Sequence, residues 1–371
     1  MMTGTTYKPK ESVPLLGRMR EPKASYESLS TATKRFLIGS TVTLFATMLL
    51  LAYLTPLFYM GVTAFKTEDM IADPKAPLYP ASAASIEYEG EQVEIYEVPI
   101  DDAVRSLALV SPGRQESTFV DPENLADGPI EWEGNWRTLE QAYAFDPRTE
   151  NFSRAWETMD FLTLLRNTVA IAVFGVVGTL ISSTLVAYGL SRFQVPFRRT
   201  IFVVLIATII LPGFVKLIPT YALFYRIGWV GTWLPLIVPH FFANAYNVFL
   251  LRQYFLTIPK ELDEAATIDG AGPLRTFWSV FLPQVKPALM AVALFHFFFA
   301  WNDFFEPLVY LSGRRDLQPI SVGLTLFKSA YDSQPHLIQA GALLGLAIPL
   351  VVFFLSQRVF LKGIDLSGVQ K

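Results

Sequence analysis

From Phe36 to Phe65 the chain runs for 30 residues without one charged side chain. A hydrocarbon layer about 30 Å thick is crossed by roughly 20 apolar helical residues, so this block spans with tilt to spare. Lipid offers no partner for backbone polar groups, which leaves a helix as the only way for a single segment to cross. Five further blocks follow. Asn167 to Ser191 is uncharged, and Thr200 to Tyr225 is interrupted only by Lys216 and by the breakers Pro212, Gly213 and Pro219. Ile227 to Leu251 holds His240 alone, Pro287 to Leu311 carries Asp303 and Glu306 in its second half, and Leu337 to Ser356 is uncharged. The expected fold is an all-α polytopic membrane protein with six transmembrane helices and a partly β extracytoplasmic insert between the first and second.

Composition agrees. Hydrophobic residues fill 52% of 371 positions and charged residues only 17%, against about a quarter in soluble proteins. A net charge of −3 gives no reason to expect a nucleic-acid partner. The absence of cysteine excludes disulfides, thiol catalysis and Cys-ligated zinc. Three histidines with no carboxylate at ligand spacing give no metal site, and no catalytic constellation stands out. The first block is too long for the core of a secretory signal, follows about 35 mostly polar residues and lacks a small-residue cleavage site, so a retained helix is expected.

Basic residues set the orientation. Segments 1–35, 192–199, 252–286 and 357–371 hold 17 Lys or Arg, against four in the short loops of the other side: Arg226, Arg314, Arg315 and Lys328. Short cytoplasmic loops carry the excess of Lys and Arg, so both termini are expected in the cytoplasm. The chain then divides into a cytoplasmic segment 1–35, a first helix 36–65, an acidic extracytoplasmic insert 66–160 and a five-helix core 161–371. The insert has 21 Asp or Glu against 7 Lys or Arg, a local balance of −14. Ile86, Tyr88, Val93 and Ile95 alternate about a Glu-Gly turn, which predicts a β-hairpin. Trp132, Trp136, Leu139, Tyr143 and Phe145 are the expected small core; the alternative is a loosely ordered acidic loop.

The connection between the fourth and fifth blocks is the most informative stretch. Pro259 suits the first turn of a helix containing Glu264, Ala265 and Ala266, and Gly270 suits the residue after its end, beside Asp269 and Ala271. Pro273 opens a second short helix, with Leu274, Phe277, Trp278 and Phe281 expected on one face and Pro283 closing it. Ala265 and Ala266 would leave a low surface that a partner can approach, with the charge of Glu264 beside it.

This stretch resembles the cytoplasmic EAA loop of ABC importer permeases: the Glu-Ala-Ala triplet, Asp269-Gly270-Ala271 and the terminal Leu282-Pro283 occur in order and register. Leu211-Pro212, Ile218-Pro219-Thr220-Tyr221, Gly228 to Thr232, Trp301-Asn302-Asp303 through Pro307-Leu308, Val322-Gly323-Leu324, and Asn151-Phe152 with Asn167 look like the maltose and carbohydrate-uptake branch. The resemblance covers about 30–65 and 150–371. It implies an ATP-driven importer in the inner membrane of a bacterium or archaeon. In such a complex this chain would pair with a second homologous permease and two ABC ATPases, which bind the ATP and magnesium. An extracytoplasmic solute-binding protein would deliver a di- or oligosaccharide, or another solute such as glycerol phosphate. The loop 257–287 would couple the ATPases to the lipid-embedded spans.

The chain itself carries no nucleotide site. Gly61-Val-Thr-Ala-Phe-Lys66-Thr67 lacks the glycine before lysine and the strand that a phosphate loop needs. Polar groups inside apolar blocks mark either a solute path or bonds between helices. His240, Asn244 and Asn247 fall at i, i+4 and i+7, which predicts one stripe on a continuous fourth helix. Asn302 and Asp303 are further pathway candidates, with Asp303 near the outer interface and expected to be structural or gating. Gly341 with Gly345, and Gly178 with Ser182, mark close helix packing. A secondary transporter is one alternative, but no inverted repeat or centrally placed carboxylate supports it; an enzyme or receptor built on the acidic insert is another, but no spacing singles out an acid/base pair there.

Overall fold

The computed structural model describes residues 24–100, 103–328 and 333–365; the expected cytoplasmic ends lie outside them up to residue 23 and from 366. The chain divides into two units, one ending at Phe58 and one running from Tyr59. A helix over Ala24–Ala64, which passes from the first unit into the second, begins well before the apolar block. Its stretch from Thr33 is long and apolar enough to span.

In the second unit the central element is a helix over Phe161–Arg192, which starts six residues earlier than the uncharged block. Its inner face is built from small and hydroxylated residues, among them Gly175, Gly178, Thr179, Ser182 and Ala187. That face lets the helices Ala245–Thr257 and Lys286–Asn302 pack closely against it. Near its start Leu164 joins an apolar core with Met159, Trp301, Ile320, Leu337 and Ala340. Near its end Ala187 and Leu190 join a second core with Val248, Leu251, Phe255, Phe277 and Phe281. The hydroxyl-rich middle lies between them. The helix Pro335–Asp365 packs its glycines as expected. A Cβ on Gly341 would stand 2.9 Å from Met159 and Leu324, and one on Gly345 would stand 3.0 Å from Ile320. A Cβ on Gly178 would strike the Phe241 ring at 2.6 Å.

Three expected spans are broken. The third is two segments, Arg198–Ile210 and Gly213–Arg226, bent by 100°. Pro212 has no amide to donate and forces Leu211 into extended backbone, so the helix cannot continue. The fourth consists of a turn at Leu234–Ile237, a 3-10 segment at Val238–Phe241, extended backbone at Phe242 and Asn244, then the helix Ala245–Thr257. The fifth ends at Asn302, because Asp303 is extended, and a separate short helix covers Phe305–Tyr310. Among the described residues four helical stretches, with Leu234–Thr257 taken as one, are long and apolar enough to cross a membrane, or six if each bent pair is one span.

The segment between the first and second apolar blocks is ordered and largely β. Strands β1 (Ala81–Ala83), β2 (Ser85–Tyr88), β3 (Glu91–Ile100), β4 (Ala103–Ser111), β5 (Glu116–Val120), β6 (Ile130–Glu133), β7 (Glu140–Gln141) and β8 (Tyr143–Phe145) follow one another. β2 to β6 form an antiparallel sheet in chain order, β7 adds to β3, and β1 pairs with β8. The predicted hairpin is present, with Ile86 opposite Val93 and positive φ at Glu89 and Gly90. The twist of such a turn suits a two-residue connection. Trp132, Trp136 and Leu139 cover Tyr96, Val98, Leu107 and Phe119, as expected of a small core. Phe145 does not join them; it is 71% exposed. Tyr143 instead donates a 2.5 Å hydrogen bond to Asp73.

Both ends of this β segment are fastened at one place. The buried Asn151 amide donates to the carbonyls of Ala64 and Lys66, each at 2.9 Å, and the Arg148 amide donates to Phe65.

Candidate functional site

The loop 257–287 begins with a helix over Glu261–Ile268, whose first turn carries Glu261, Asp263 and Glu264. Acidic side chains there favour the N-terminal end of the helix dipole. Its other end is closed by two crossed hydrogen bonds, Gly270 amide to Thr267 carbonyl at 3.0 Å and Ala271 amide to Ala266 carbonyl at 2.9 Å. That is the Schellman pattern, which needs a left-handed residue after the cap. Gly270 supplies it with φ +73°, as the sequence predicts, and Asp269 is the cap. Glu264 and Ala265 are exposed, but Ala266 is buried, so the low surface is narrower than expected. The reason is helical geometry: successive residues turn by about 100°, and Ala266 faces inward.

The second arm runs over Pro273–Thr276, a π-helical turn at Phe277–Phe281 and a last turn at Leu282–Gln284. The chain then bends by 76° into the Lys286–Asn302 helix. Pro283 does not close the arm; it sits at the start of that last turn, where a missing amide is tolerated. Nor do the four apolar side chains share a face. Phe277 and Phe281 are buried, whereas Leu274 and Trp278 are 74% and 63% exposed. Ile268 is exposed as well, one helical turn after Glu264.

On the inner side the rings of Tyr188, Phe255, Phe277 and Phe281 pack with centroids 4.9 to 6.2 Å apart. Arg192 lies beside them. Its guanidinium reaches Asp263 at 2.8 Å and the carbonyls of Phe255 and Ile258 at 2.5 and 2.7 Å. Sequence reading passed over Arg192 as one more basic residue of an inner loop. Only its position at the end of an uncharged block hinted at a local task.

The pathway candidates do not form the predicted stripe. Asn244 caps the Ala245–Thr257 helix, its side-chain oxygen accepting from the amides of Tyr246 and Asn247. His240 lies before the break, in the 3-10 segment, and Asn247 is buried within the helix. Pro239 and the capping asparagine interrupt the helical repeat that would have aligned them. His240 instead meets His296, with ring centroids 4.3 Å apart, and the Nδ1 of His296 lies 3.2 Å from the Thr179 hydroxyl. Ser182 donates to the His240 carbonyl at 2.9 Å. The Asn302 amide donates to the Phe298 carbonyl at 2.8 Å, and the residue is exposed. The Asp303 carboxylate accepts from the Glu306 amide at 3.4 Å, and its carbonyl accepts from Ser321 at 2.6 Å. Asn167, wholly buried, donates to the carbonyls of Asp316 and Gln318, each at 2.9 Å. It pins the central helix to the loop that follows the broken fifth span.

Residues 175–365 match the profile of the family described as binding-protein-dependent transport system inner membrane component. The osmoprotective compounds uptake permease protein GgtD of Synechocystis is 33% identical over 205 residues, 55% of this chain and 69% of that protein. The melibiose/raffinose/stachyose import permease protein MelC of Bacillus subtilis is 32% identical, over 59% of this chain and 80% of its own length. The sn-glycerol-3-phosphate transport system permease protein UgpE of Yersinia pestis is 30% identical, over 70% of this chain and 88% of its own. Among solved structures, a bacterial ABC transporter that imports the acidic polysaccharide alginate aligns over 93% of this chain and 99% of its own. That alignment has a TM-score of 0.60 and 19% identity, a likeness of fold. The chain belongs to the binding-protein-dependent transport system inner membrane component family: it is a multi-pass permease subunit of an ABC importer, and not an ATPase or another enzyme.

Proposed function

We propose that this permease forms one half of the pore of a carbohydrate importer, crossing the membrane six times with both termini in the cytoplasm. The observation that carries the coupling part is the elbow at Gly270 in a loop that exposes Glu264, Ala265, Ile268, Leu274 and Trp278. Large apolar side chains exposed on one loop suit a protein partner better than water. That partner is an ABC ATPase, two of which would bind ATP and magnesium beneath this chain and a second homologous permease. Closure of the ATPases would swing the loop as a rigid body and alternate the pore between its two openings.

Carbohydrate cargo is supported by the similarity to MelC over four-fifths of that protein. Glycerol phosphate is the second reading, and the similarity to UgpE favours it. Asn302, Asp303 and the polar middle of the bundle, with His240 and Asn247, are the groups we assign to the path. The acidic β segment faces outward in this orientation and would meet the solute-binding protein.

The test is reconstitution of the permease pair with its ATPases and binding protein in vesicles. ATP-dependent uptake should follow labelled oligosaccharide and resist competition by glycerol phosphate. Uptake of the phosphate alone would transfer the assignment to the second reading, and uptake without ATPases would overturn the coupling part.

A further inference from the structure

We propose that Arg192 is the positioning residue that makes the coupling loop move with the second and fourth spans, an inference that rests on reading 257–287 as the ATPase contact. Arg192 ends the Phe161–Arg192 helix, and its side chain is only 7% exposed. One guanidinium joins three elements. Nη1 lies 2.8 Å from an Asp263 carboxylate oxygen in the first arm of the loop, one residue before Glu264. Nη2 donates to the carbonyls of Phe255 and Ile258, at the end of the Ala245–Thr257 helix. The guanidinium carbon stands 4.6 Å from the centre of the Phe281 ring, in the π-helical turn of the second arm.

Each contact answers a physical need. The last carbonyls of a helix have no partner within it, and a cation there is favoured by the helix dipole. The Asp263 carboxylate is about one-third exposed, so the pair is only partly desolvated. The ring face of Phe281 attracts the cation in a shielded place. The apolar contacts around Tyr188 and Phe255 hold the loop against the bundle without fixing its register, because dispersion is not directional. Hydrogen bonds to three oxygens on two elements do fix it. A planar fork is required: a lysine ammonium is a point charge that cannot serve the carboxylate, both carbonyls and the ring from one position. A displacement imposed at Glu264 is thereby passed through Asp263 to the ends of both spans.

The experiment uses the assembled transporter in vesicles, comparing Arg192→Lys, Arg192→Gln and Asp263→Asn with Glu264→Lys. The readouts are retention of the ATPase subunits, ATP hydrolysis, and solute taken up per ATP hydrolysed. For the Arg192 and Asp263 variants we expect ATPase retention and hydrolysis near wild type. Uptake per ATP should fall at least tenfold in Arg192→Gln and several-fold in Arg192→Lys and Asp263→Asn. Asp263→Asn keeps the test decisive if Arg192→Gln does not accumulate. Unchanged uptake per ATP in both Asp263→Asn and Arg192→Lys overturns the proposal. A parallel loss of ATPase retention and uptake in these variants also overturns it, since a merely structural role would act that way. If Glu264→Lys leaves ATPase retention and hydrolysis unchanged, it is the reading of the loop that fails instead.

Discussion

Replacing Gly270 by valine isolates the contribution of one backbone angle. Its φ is +73°, and no atom outside its immediate neighbours lies within 4 Å of where a Cβ would stand. Crowding therefore adds nothing, and the cost is conformational alone. A left-handed backbone costs an L-residue roughly 1–2 kcal/mol, with a β-branched side chain at the upper end. The eight-residue helix before it ends in the two crossed bonds at Thr267 and Ala266, next to the bond from the Asp269 amide to the Ala265 carbonyl. Such a loss lowers the ratio of closed to opened elbow by about 5- to 30-fold. Asparagine visits the left-handed region readily, so Gly270→Asn is the control, and alanine should fall between. Membrane insertion should be the same in all, because the elbow lies between spans. The assay is binding-protein-stimulated uptake beside ATP hydrolysis in vesicles, expected to rank Gly, Asn, Ala, Val. Equal uptake by Asn and Val variants would show that the positive φ is not what the loop needs.

Three further outcomes are expected. Tyr143 holds Asp73 below the usual carboxylate range by its hydrogen bond, and the same contact, after burial, raises the tyrosine. The stability from Asp73 is present above its unfolded value of about 3.9 and lost as pH falls through the lower folded one; that from Tyr143 persists through neutrality and is lost only in strong base. Amide exchange in the β segment should thus be faster in Tyr143→Phe at pH 7, with the difference from wild type shrinking toward pH 2; a constant difference refutes the pairing. Asn167→Leu leaves the Asp316 and Gln318 carbonyls without their donor and should cost about 1–3 kcal/mol, read as detergent-solubilised thermal stability; no shift would show water or another donor taking its place. Replacing 70–148 by a Gly/Ser linker should leave assembly and basal hydrolysis intact while removing salt-sensitive stimulation by the binding protein, since the replaced residues hold 16 Asp or Glu against 5 Lys or Arg and their field acts over a Debye length of about 8 Å; failed assembly or unchanged stimulation at low salt counts against it.

Long uncharged runs were legible because lipid leaves them no other fold, and Gly270 because few residues besides glycine accept its angle. The breaks at Phe242 and Asp303 were not, although Pro239 stands in plain view; at Leu211 the breakers Pro212 and Gly213 were legible, but not the 100° bend they produce. Hydropathy averages over a window, whereas one missing amide or one capping side chain acts at a single residue. The stripe through His240, Asn244 and Asn247 failed for that reason. The hairpin about Glu89-Gly90 was readable from its alternation, but β4 to β6 pair with partners set by register across the sheet. Arg192 was invisible because its partners lie 63 to 71 residues away in the chain.

Asn151 has a consequence for how this subunit varies over evolutionary time. Because one amide clasps the carbonyls on either side of Phe65 to the approach of the second helix, everything between is a closed excursion whose two mouths coincide. Lengthening such an excursion raises the entropic cost of closing it only logarithmically, by about 0.6 kcal/mol per doubling. The strands there form their own hydrophobic clusters. The β segment is in that sense a cassette: it can be enlarged, trimmed or exchanged while the bundle beneath keeps its geometry.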